Sequence, residues 1–253
     1  MPLTLEELYA QAPAALAGLL GATSHVQRVI DGGELAAYLP AVHGFFSPRT
    51  QEVILHPEVS AHLSKFLVPP AKTKKIEQEA IERWELAMVK THVATLVAKT
   101  AHGLGPPDAA LMQAEWDAYW RHPHIHTITS GIAELVAELY VDRFIVATEL
   151  SLIDPRLLEV QPLRTRFVAQ TTMLRIVLTE VAHDLGTTLD DEVARVVRDG
   201  ASQLAVWRLV QRWGQAPIHR ERAILRRPGS LIDLRRTVEQ GLVGVAKDWS
   251  DAA

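Results

Sequence analysis

Cysteine is missing from all 253 residues. Disulfides, thiolate metal sites and a cysteine nucleophile are therefore excluded within this chain. No run of 18 or more apolar residues occurs, so no membrane-spanning helix is expected. The opening segment, MPLTLEELYAQAPAALAG, has no basic cluster and carries Glu6 and Glu7, which is not the pattern of a secretory leader. These absences together predict a cytoplasmic protein. Net charge is also scarce: 26 Lys and Arg against 30 Asp and Glu leave -4, so nucleic acid is not an expected partner. There is no glycine-rich phosphate loop, GxSxG elbow or Rossmann fingerprint.

What is present is an ordinary globular composition, 48% hydrophobic and 22% charged. The length suffices for one large domain or two small ones. Thr4 and Glu7 form a capping box that opens a helix over 3–10. Pro13 is predicted to interrupt it, with helix resuming over 14–20. Asp31, Gly32 and Gly33 read as a turn. Two β-like runs, 41–46 and 52–56, flank Ser47-Pro48-Arg49-Thr50, which predicts a β-hairpin over about 41–56.

After Pro57 the pattern is helical. Residues 74–102 contain no Gly or Pro, and Ile76, Ala80, Trp84, Ala87, Ala94, Val97 and Ala101 recur at helical spacing. Gly103, Gly105 and Pro106 stop that helix. Asp108 caps a predicted helix to about 121, and 121–129 reads as a histidine-bearing loop or short strand. Further helices are expected over 131–150, 163–185, 188–198, 202–213 and 231–247. The expected fold is mainly α with a small β-hairpin or sheet, an α+β arrangement. Residues 1–150 would form the core. Residues 151–253 would form a helical extension packed on it, or one continuous domain with it.

Three segments arrive in a telling order: HGFFSPRTQEVILHPEV over 43–59, LVAKTAHGLGPP over 96–107, and SGIAELVAELYVDRF over 130–144. In this order the chain resembles a degenerate zincin-like metallopeptidase of the gluzincin type with its HExxH motif lost. The resemblance implies a hairpin with an edge strand that holds extended peptide. The motif helix (about 74–102) and a second motif helix (about 131–150) would follow.

In a working site two histidines four residues apart share one zinc, and the glutamate beside the first is the general base. The resemblance puts Ala98, Lys99 and His102 at those three places and Ser130 at the third ligand. Ala98 has no ligand atom, and Lys99 would repel a dication. A pseudo-metallopeptidase with no catalytic residues, metal or cofactor is therefore implied. Its expected role is binding or assembly, with a protein partner or by self-association. The hairpin edge, a cleft beside His102, or the arginine-rich stretch 208–236 would be the contact surface.

Two alternatives stand beside this. A metal-dependent hydrolase would use a relocated zinc site. Glu134 lies one helical turn past Ser130, Glu138 continues that face, and His122, His124 and His126 follow strand alternation. His102, Glu134, His124 and His126 are its candidate ligands. In the metal-free case Lys99 would pair with Glu134 instead. The second alternative is an unrelated helical interaction or regulatory domain.

Glu180 and His183 form a Glu-x-x-His step, but di-iron bundles need a second copy, which is absent. Trp84, Trp116, Trp120, Trp207 and Trp213 are expected in a core or interface. Arg208 to Arg236 reads as a solvated helical face, with phosphate contact as the lesser reading.

Overall fold

The computed structural model describes residues 3–33, 43–68, 78–105, 123–163 and 168–198. Within them the protein is mainly helical with one small mixed sheet, as the patterns predicted. The chain divides into two compact units. The first takes residues 1–19, 24–103 and 136–165, and the second takes 20–23, 104–135 and 166–253.

The first unit begins with α1, Leu5–Leu20. The capping box is there: Thr4 Oγ1 accepts from the Glu7 N–H at 3.2 Å, and the Thr4 N–H donates to Glu7 Oε2 at 2.8 Å. These bonds hold the Glu7 carboxyl below its ordinary range. Pro13 does not break the helix, contrary to expectation, but lies inside it. An interior proline costs about 3 kcal/mol. Burial of Leu8, Ala12 and Leu16 on the inner face offsets that loss. Tyr9, also buried, donates its hydroxyl to Ser60 Oγ at 2.9 Å. Burial pushes the Tyr9 phenol up to about 12.

Strands β1 (Arg28–Asp31), β2 (Gly44–Ser47) and β3 (Glu52–Leu55) form the sheet in the order β1-β3-β2. β2 and β3 are the antiparallel hairpin read from the sequence, with Phe45 opposite Ile54. Parallel pairing of β1 with β3 had no local signal. β3 is therefore the central strand, and the sheet's edges among the described residues are β1 and β2. Gly44 is required: a Cβ there would lie 2.7 Å from the Ile54 carbonyl oxygen. Glu52 is buried, and hydrogen bonds from Thr50 and Arg28 keep its carboxyl below the usual range.

Helix α2, Pro57–Leu67, starts on a proline and is capped by His56, whose Nδ1 accepts from the Glu58 N–H at 3.2 Å. α3 follows over Gln78–Ala101. Its centre is anchored by Lys90, only 1% exposed. The Lys90 ammonium donates to the Val160 carbonyl at 2.7 Å and meets Asp142 at 2.6 Å. At its end a Cβ on Gly103 would fall 2.4 Å from Val26, so the chain there demands glycine.

The next described helix, α4, spans Pro123–Ala147. The histidine segment expected as loop or strand is thus helical, and the start expected near Gly131 is interior. Pro123 is the cause, since its fixed φ suits a first helical turn whose N–H needs no partner. A short helix α5, Leu150–Ile153, and a 3-10 turn, Pro155–Leu158, close this stretch. Arg156 there meets Asp154 at 2.6 Å and Glu82 at 3.1 Å.

In the second unit, α6 (Val168–Leu185) packs on α7 (Leu189–Arg198), and Leu174, Leu178, Val193 and Val197 on these helices are buried. α6 starts later than the predicted residue 163. Leu163 lies in the first unit, outside any helix, and its N–H donates to Thr91 Oγ1 at 2.8 Å. Gly186, with φ +66°, ends α6 where the sequence placed the stop. Thr188 and Asp191 cap α7 reciprocally, at 2.6 Å between side chains. The helices expected over 108–121, 202–213 and 231–247 lie outside the described residues, as do His122 and the segment 208–236.

Candidate functional site

The motif positions have separate fates. Ala98 on α3 is wholly buried, and Lys99 is 9% exposed. His102 follows the helix and is half-buried. All three belong to the first unit, whereas Ser130, Glu134, His124 and His126 belong to the second. Ser130 is buried inside α4 and Glu134 is half-buried. His124 and His126 occupy the first turns of α4. Two helix positions two apart sit about 200° apart around the axis. The segment expected as loop or strand is helical from Pro123, so strand alternation does not describe it.

A different constellation emerges in the first unit. His43 precedes β2, His62 lies on α2 and His92 on α3. The His62 and His92 rings are stacked, 4.8 Å between centroids and 14° from parallel. His43 meets His92 edge-on at 5.9 Å. The backbone fixes this meeting, because the His43 carbonyl accepts from the His56 N–H at 2.9 Å just before α2.

His92 is 1% exposed, and neither of its ring nitrogens has a hydrogen-bond partner; nor does His62 Nδ1. Such groups are rare in folded proteins, and each leaves a desolvation cost of about 1–3 kcal/mol. Burial lowers His92 to about 4, and the His62 and His43 imidazoles reinforce this, against a smaller opposing pull from Glu58. At neutral pH His92 is therefore an uncharged core imidazole.

Metal binding asks for other geometry. Two imidazoles share an ion by aiming in-plane lone pairs at one point about 2.0–2.1 Å away. Stacked rings present faces to each other instead. Among the described residues no group of three His, Asp or Glu is arranged to hold a metal ion.

Sequence reasoning missed this cluster because its members come from three distant stretches with no motif spacing. Trp84, expected in a core or an interface, is 59% exposed on α3 and so is not in the core. The other tryptophans expected there lie outside the described residues. No described helix is long and apolar enough to cross a membrane. Comparison with protein-family models, curated proteins and solved structures finds no match.

Proposed function

We propose that the chain is a non-catalytic, zincin-like scaffold that works by binding a protein, with a second copy of itself as the first candidate. The observation that carries this reading is Ala98. A catalytic histidine must reach a solvated metal, yet this position is wholly buried beside buried Leu96, Val97, Thr100 and Ala101. Lys99, at the place of the general base, is a cation. Packing has taken over the face on which the resemblance would put chemistry.

Binding is supported by what the first unit leaves uncovered. Trp84 is 59% exposed and Leu152 77%. Tryptophan is enriched among residues that dominate interface energies. Sedimentation of the full chain tests the reading. A concentration-dependent oligomer is expected, weakened at least tenfold by Trp84→Ser. A chelator-sensitive peptidase activity in the purified protein would contradict it.

A further inference from the structure

We propose that His43, His62 and His92 form an acid-sensitive latch: as neutral imidazoles they hold α2 and the approach to β2 against α3, and protonation frees α2. The observations are geometric. Three imidazoles from three separate stretches meet at 4.8 and 5.9 Å, with the central ring 1% exposed. Both nitrogens of that ring lack a partner. A second positive charge within such a pair is repelled by the first, and the opposing pull of the exposed Glu58 is the smaller effect.

The charged groups on the packed elements do not rescue it. α2 supplies His62, Glu58 and Lys65: the Glu58 side chain is 58% exposed and 4.0 Å from His56 Nδ1, and Lys65 pairs with Glu85 of α3 at 3.3 Å, both side chains exposed. The β2 side supplies His43. On β3, Glu52 is taken by Arg28 and Thr50. On the 3-10 turn, Arg156 is engaged by Asp154 and Glu82. On α3 itself, Lys90 is held by Asp142 and the Val160 carbonyl.

His43 and His62 are half-buried, whereas His92 is 1% exposed. Charge on them raises the cost of charging the central ring. The relief is separation of α2 from α3, against which it packs. That movement would uncover Val59, Leu63 and Leu67, now buried. The latch does not depend on the scaffold reading, since it rests on imidazoles that no metallopeptidase resemblance involves.

The test uses the full chain with no added metal. Histidine 15N resonances report the His92 protonation state, and hydrogen exchange reports α2 and α3. We expect His92 to stay neutral at pH 6. Amides of α2 should lose protection at least tenfold between pH 7 and 4.5, after correction for intrinsic exchange. His92→Phe should keep that protection in acid, and His62→Phe should move the loss to lower pH. A His92 that is protonated at pH 6 while α2 stays protected would overturn the proposal. So would equal acid loss in the parent and a folded His92→Phe. One equivalent of zinc bound by the parent and lost in His92→Phe would overturn it too, by making the cluster a metal centre. The resonances of the unaltered protein decide even where a variant fails to fold.

Discussion

His92 and His102 lie ten residues apart on and just beyond one helix, and they carry opposite kinds of information. His102 is the residue that the proposed resemblance would align with the second histidine of an HExxH pattern, yet Ala98, at the place of the first, has no ligand atom and is wholly buried. His92 sits in no motif, yet it is 1% exposed, stacked on His62 and left without hydrogen-bond partners. The difference teaches that resemblance and physical tension need not fall on the same residues. A motif is a record of spacing. An unsatisfied buried imidazole is an energetic fact of this fold.

The comparison breaks most visibly in acid. An unfolded-state histidine binds its proton near pH 6.5, whereas His92 in the fold does so only near pH 4. Between those values the unfolded state holds more protons, so the His92 contribution to stability falls as pH drops from about 6.5 to 4 and is level above and below. At 1.36 kcal/mol per unit the loss is about 3 kcal/mol. Urea midpoints across that range would measure it. His102→Ala should leave the slope unchanged.

Writing the residues of an HExxH pattern into the helix tests the other side. Ala98→His with Lys99→Glu forces larger or charged groups into buried positions. We expect a destabilisation of about 2 kcal/mol, within the usual range for overpacking. Calorimetric titration should still find no stoichiometric zinc. Tight zinc binding by that variant would instead strengthen the resemblance.

A smaller effect is expected of His92→Phe at neutral pH. It removes two unpartnered nitrogens and keeps a flat ring in the same space, so stability should stay within about 1 kcal/mol of the parent or rise. Its acid slope should flatten, which separates proton linkage from packing. Least affected should be His102→Ala, within about 0.5 kcal/mol by urea denaturation, as befits a half-buried residue past the helix end.

Local signals in the sequence were legible because local physics decides them. Thr4 and Glu7 specify a helix start within one turn, Gly186 a helix stop, and Ser47-Pro48 a hairpin turn. Tertiary packing overrode the local rule at Pro13, where burial along α1 holds the helix together. Pro123 carried two meanings, loop residue or first helical residue, and only the full helix Pro123–Ala147 chooses between them. Long-range pairing was invisible. Nothing in Arg28–Asp31 announces a parallel partner in Glu52–Leu55, and nothing near His92 announces His62.

Metal analysis of the purified full chain beside His102→Ala is the most direct test of the claim that the motif helix carries no zinc chemistry. We expect no stoichiometric transition metal in either protein. One equivalent of zinc in the parent, lost on substitution of His102, would contradict it.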